Sequence, residues 1–242
     1  MQARDRIIVP LDVDTEDKAV VLIGRLRQYV GAFKVGLELI HAAGPDVCAR
    51  LRDLGAKHIF YDCKLHDIPN TVAGASRAIA RRAMWMFNVH ASGGSRMVRA
   101  AVESAREASA ASNVSRPLVL GVTLLTSVAP DELRDELRVP DEPGALVSHL
   151  ARLCQEAGAD GVVASPHEIE AVRAASGPGF LIVTPGVRPA GSGADDQRRT
   201  MTPGDAVRLG ADYLVIGRPI TGAPDPVAAA VAVAAEIETA SG

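Results

Sequence analysis

The feature that most constrains this chain is a repeat. Short apolar runs rich in β-branched residues recur from end to end, with helical stretches between them. They are Ile7 to Leu11, Phe33 to Leu37, His58 to Lys64, Met86 to His90, Leu118 to Leu125, Gly161 to Ser165, Phe180 to Pro185 and Tyr213 to Gly217. Eight runs in 242 residues leave about 30 residues per unit, the length of one strand–helix repeat.

The joints agree with that reading. Thr15-Glu16-Asp17 has the form of an N-cap followed by acidic first-turn residues. Ala49 to Leu54 runs into Gly55, a C-terminal stop. Ala157-Gly158-Ala159-Asp160-Gly161 and Leu209-Gly210-Ala211-Asp212-Tyr213 are two copies of one helix-exit pattern. No change of composition and no Ser/Pro-rich linker marks a second domain. The expected fold is α/β, a single-domain (β/α)8 TIM barrel over residues 1–242. The competing architecture is a doubly wound open sheet. It needs a glycine-rich turn after the first strand, where Leu11-Asp12-Val13-Asp14 stands instead.

Composition narrows the function. With 26 basic and 29 acidic residues the net charge is −3, so there is no general basic field for nucleic acid. Aromatics make up 3% of the chain, which leaves the core to Ala, Val, Leu and Ile and argues against a base-stacking platform. Cys48, Cys63 and Cys154 form neither a metal-ligand pair nor an even disulfide framework. Met1 to Arg6 lacks the apolar core of a secretion signal. The most apolar long stretch, Val227 to Ala235, is too short to span a membrane and leads into Glu236 and Glu238 as an amphipathic helix would. A cytoplasmic, reduced protein with no membrane partner is expected.

In a barrel of this kind the chemistry lies where strands end. Asp12 stands at the end of the first run, just after Leu11, Lys34 lies in the second, and the third ends in Asp62-Cys63-Lys64 and runs on through Leu65-His66-Asp67-Ile68-Pro69-Asn70-Thr71. Alternation puts Asp62 and Lys64 on one face and Cys63 on the other. Inward charges are costly to desolvate unless paired or used. One such pair could simply plug the barrel mouth. With Asp12, Lys34 and Asp67 at neighbouring positions, a catalytic array is the better reading.

An anion site is expected at the last two strands. Pro185-Gly186-Val187-Arg188-Pro189 leads into a loop containing Gly191, Gly193 and Gln197, and a lid is expected at about 188–202. Ile216-Gly217-Arg218-Pro219 follows the eighth run. Loops after strands seven and eight are the usual phosphate position, with Gly217 admitting close backbone approach and Arg218 a forked donor. His90 ends the fourth run and reads as a packing and hydrogen-bonding residue, and His66 as a positioning one. His41, His58, His149 and His167 have no ligand spacing, so no metal site is expected.

The segment from Asp62 to Thr71 resembles the signature of the orotidine 5'-phosphate decarboxylase family. Leu11-Asp12, Lys34-Val35-Gly36, Asn88-Val89-His90-Ala91, Leu125-Thr126-Ser127, Pro185 to Pro189, Asp196 to Arg199 and Gly217 to Thr221 fall in that family's order over nearly the whole chain. Leu65 departs from the pattern, where Phe is common, and is apolar either way. The resemblance implies decarboxylation of orotidine 5'-monophosphate to uridine 5'-monophosphate, the last step of de novo pyrimidine synthesis, with no cofactor. It implies that Lys64 is the cation and proton donor at ring C6, that Asp62 faces the departing carboxylate, and that Lys34 pairs with Asp62. It places Asp12 on the ribose, Thr126 on the pyrimidine edge, and Arg188, Gln197, Gly217 and Arg218 on the phosphate. Asp67 and Thr71 resemble residues given to a partner's site, which implies a homodimer with shared sites.

Three other readings stay open on the residues alone. A metal-dependent sugar-phosphate lyase or decarboxylase would use the same Asp62, Lys64 and Asp67, with a carboxylate such as Glu38 for the metal. A non-enzymatic phosphate-binding barrel would need only the phosphate corner. A Schiff-base aldolase would use Lys64 as a nucleophile.

Overall fold

The computed structural model describes residues 1–189 and 201–241, with Ser241 by its backbone only. Gln197 and most of the expected lid lie outside the described residues. Eight strands follow chain order around a closed barrel: β1 (Ile7–Pro10), β2 (Ala32–Val35), β3 (Ile59–Leu65), β4 (Met86–His90), β5 (Leu118–Val122), β6 (Gly161–Val163), β7 (Leu181–Pro185) and β8 (Tyr213–Val215). The helices are α1 (Glu16–Leu26), α2 (Leu37–Ala43), α3 (Val47–Asp53), α4 (Pro69–Arg81), α5 (Ser95–Ser112), α6 (Pro143–Glu156), α7 (Ile169–Ser176), α8 (Pro203–Arg208), α9 (Arg218–Thr221) and α10 (Pro226–Ser241). Every expected run overlaps a strand. Packing divides the chain into two compact units, residues 1–63 with 185–242, and residues 64–184.

In the first unit β1 pairs in parallel with β2 and with β8, and β2 with β3. All four residues of β1 are buried, as expected of parallel strands covered on both faces. Thr15 caps α1 by accepting from the Lys18 N–H, as its sequence suggests. Outside the barrel, Arg50 of α3 forks onto the Glu16 carboxylate of α1 with both distances 2.7 Å. That bond holds the Glu16 carboxyl below its usual range. Gly210 follows α8 with φ +113 and turns the chain into β8.

In the second unit β4, β5, β6 and β7 pair in order. A Cβ on Gly121 would strike the Cys154 sulfur of α6, so Gly121 faces the helices. Its neighbours Leu120 and Val122 therefore face the barrel interior, and so do Asn88 and His90, which pair with them in register. Burial beneath α6 pushes the Cys154 thiol up to about 12. Gly158, at φ +89, repeats the joint of Gly210: the N–H of the following Ala159 reaches back to the Cys154 carbonyl, as that of Ala211 reaches the Ala206 carbonyl. At the other end of β5, Arg116 holds Asp160 through both oxygens at 2.6 and 2.9 Å, and Asp160 accepts the Val119 N–H at 2.8 Å. Strand starts of such barrels serve stability, and this clamp fits that division.

Candidate active site

The strand register of the first unit assembles a chain of alternating charge. Pro10 pairs with Lys34 and Lys34 with Phe60, so Lys34 shares a face with Asp62, two residues beyond Phe60. The Lys34 ammonium lies 3.1 Å from an Asp62 oxygen and 3.1 Å from an Asp12 oxygen. The Lys34 and Asp62 side chains are only 12% and 10% exposed, whereas Asp12 is 57% exposed. Lys34 thus has its charge met on two sides, with Asp12 at the solvent edge. Removing a partner from so buried a pair costs about 3–5 kcal/mol, because a lone charge stays behind.

Gly36 closes against this array. A Cβ there would lie 2.9 Å from Lys34 Nζ and 3.2 Å from Asp12 Oδ1. Its φ of −96° suits any residue, so the need for glycine is room for the two charged tips.

Simple alternation places Lys64 on the Asp62 face; its φ is +46°, a conformation that the sequence did not foretell, although β3 runs on to Leu65. Its backbone N–H donates to the Asn88 side-chain oxygen at 2.7 Å. Asn88 is 1% exposed. Sequence reasoning gave Asn88 no role. The available signal was an amide at an interior position of an otherwise apolar strand, which must find a partner. The rings of His66 and His90 lie 5.2 Å apart and tilted by 35°.

Asp67 and Thr71 lie at the start of α4 and are both exposed, as is Ile68 between them at 66%. Asp67 accepts the Ile68 N–H at 2.6 Å. Thr126 is exposed in the loop after β5. Arg188 is half-buried after β7, and its N–H donates to the Met201 carbonyl at 3.0 Å. Gly217 and Arg218 follow β8, with Arg218 exposed at the start of α9. A Cβ on Gly217 would come 3.0 Å from Pro10 Cγ, so these two strand ends approach closely and a side chain there would have to push the proline ring aside.

A cavity of about 520 Å³ brings Asp12, Gly217 and Arg218 onto one wall system, together with Lys18 and Thr221. Its volume suits a small molecule. A carboxylate that can accept from hydroxyls and a guanidinium that can grip an anion thus share one space. Glu38 is exposed in the first turn of α2. Among the described residues, no group of three or more His, Cys, Asp or Glu could hold a metal ion.

Comparison with known proteins decides the family. A model described as "Orotidine 5'-phosphate decarboxylase / HUMPS family" matches residues 5–233. The chain belongs to this family. Orotidine 5'-phosphate decarboxylase of Moorella thermoacetica is 56% identical over 238 residues, covering 98% of this chain and 94% of the relative. The protein of that name from Syntrophomonas wolfei is 48% identical, covering 98% and 100%. The crystal structure of orotidine 5'-phosphate decarboxylase from Lactobacillus acidophilus superposes with a TM-score of 0.83 at 38% identity, covering 96% of this chain and 98% of that one. The likeness to orotidine 5'-phosphate decarboxylases therefore spans both units and every strand that carries the charge array.

Proposed function

We propose that this chain decarboxylates orotidine 5'-monophosphate to uridine 5'-monophosphate and CO2 without a cofactor. The observation that carries the reading is Lys34 held between Asp12 and Asp62, with Lys64 two residues further along the same strand. Membership of the orotidine 5'-phosphate decarboxylase family supports it.

Breaking the bond from C6 to the carboxylate leaves its electron pair on C6, where no adjacent π system accepts it. The protein must stabilise that pair, and enzymes that accelerate slow reactions most reduce barriers by about 23 kcal/mol or more. Lys64 supplies the cation beside C6 and then the proton, so CO2 departs and the new C6–H bond takes its proton from the ammonium. Asp62 lies beside the substrate carboxylate, and their repulsion is relieved as neutral CO2 leaves. Lys34 fixes Asp62 in place and reaches the ribose. Asp12 accepts from ribose hydroxyls, and Arg188, Gln197, Gly217 and Arg218 hold the 5'-phosphate. That Asp12 and Arg218 line one cavity supports a ribose-phosphate site there. Thr126 meets the pyrimidine edge.

The exposed Asp67 and Thr71 suit a homodimer in which each chain completes its partner's site, and such a dimer would cover Ile68. Cys48, Cys63 and Cys154 are in no disulfide, which suits a reducing, cytoplasmic setting. Among the described residues no helix is long and apolar enough to cross a membrane.

The test is the fall in ultraviolet absorbance as orotidine 5'-monophosphate is consumed by the purified protein in excess EDTA. Turnover to uridine 5'-monophosphate at an undiminished rate is expected. Turnover that disappears with EDTA and returns with Mg²⁺ would favour the metal-dependent lyase chemistry instead.

A further inference from the structure

We infer that Asn88 is a positioning residue for Lys64: its side-chain oxygen holds the lysine backbone in the left-handed conformation at the end of β3. Four described residues other than glycine have positive φ: Lys64, Ala83, Asn113 and Arg138. Asn113 caps α5, Ala83 directly follows the last residues of α4, and Arg138 follows the helical turn Glu132–Glu136. Such a conformation is routine where a helical segment stops. Lys64 alone among the four lies within a strand.

A non-glycine residue held this way is strained and persists only where its surroundings fix it. Here the fixing contact is visible. The Lys64 N–H meets Asn88 Oδ1 at 2.7 Å, and Asn88 is 1% exposed, on the interior face of β4. The contact is made by the lysine backbone and not by its ammonium. Lysine has a long, flexible stem, and its tip is placed only as well as its Cα and Cβ are. Without the Asn88 bond the backbone can relax towards the extended conformation of a regular strand, which turns Cβ to a new direction. Misplacing a reacting group by about 1 Å can cost roughly 100-fold in rate.

The inference rests on the proposed role of Lys64 in turnover, and its test separates the two. Asn88→Leu keeps the side-chain size and removes the acceptor. Asn88→Asp keeps an acceptor oxygen at the same reach. Asn88→Leu is expected to lower kcat about 10- to 100-fold, with KM and the affinity for uridine 5'-monophosphate within about three-fold, because the ribose and phosphate contacts lie elsewhere. Asn88→Asp is expected to recover most of the lost kcat. Amide hydrogen exchange at Lys64 should quicken in Asn88→Leu while the neighbouring β4 amides stay protected. Should Asn88→Leu fail to fold, Asn88→Ala carries the same comparison with Asn88→Asp. A kcat within two-fold of wild type, an Asp variant no better than Leu, or equal losses in kcat and in affinity would overturn the positioning role. If Lys64→Ala itself keeps turnover, it is the role of Lys64 that fails. If Lys64→Ala is inactive while Asn88→Leu behaves as wild type, only the positioning role fails.

Discussion

Gly36 leaves no space for even a methyl group beside Lys34: a Cβ there would come 2.9 Å from Nζ. The clash is with the far end of a flexible side chain, and the φ of −96° is open to alanine. Gly36→Ala should therefore fold, with stability within about 1 kcal/mol of wild type. It should shift the ammonium slightly without parting it from Asp12 and Asp62, and lower kcat/KM about 10- to 100-fold. Thermal melting beside steady-state kinetics checks both parts. A large loss of stability with full specific activity would show that Gly36 serves packing instead.

Asp67 and Thr71 are exposed in the single chain, and the dimer reading gives them a neighbour's site to complete. A heterodimer of Asp67→Ala and Lys64→Ala chains then has one site with both lesions and one with neither. Mixing the two inactive proteins should restore up to about half of wild-type activity per heterodimer. Verified heterodimers without activity would show that each site is built within one chain.

Arg218 shares a cavity with Asp12, which fits a phosphate grip at one end of a ribose site. Arg218→Ala should lose roughly 2–4 kcal/mol of transition-state binding, or about 30- to 1000-fold in kcat/KM. The loss should be confined to the phosphorylated substrate, since orotidine offers this arginine nothing to bind. Equal fractional losses on both substrates would move the phosphate grip elsewhere.

Much of this was legible in the sequence because strand periodicity carries it. Runs such as Met86 to His90 became strands over the same residues. Residues at strand ends that share one parity, Asp12, Lys34 and Asp62, met in space. The fifth run proved shorter than expected. The chain leaves the ladder at Thr123, whose hydroxyl and N–H both donate to the Val163 carbonyl. The parts not legible depend on contacts distant in sequence or on backbone geometry. The Asn88 bond joins residues 24 apart and ends on a backbone N–H, which leaves no mark in the pattern of side chains. Nothing in Asp62-Cys63-Lys64 announces a positive φ at the lysine. The need for Gly36 arises only from where the tip of Lys34 comes to rest.

The most direct test of the account is the turnover number of Lys64→Ala on orotidine 5'-monophosphate, measured with thermal melting and uridine 5'-monophosphate binding as controls. Loss of both a cation and a proton donor should lower kcat by roughly 10,000-fold or more, in a protein that still folds and binds the product. A folded Lys64→Ala protein that retains a large share of wild-type turnover would contradict it.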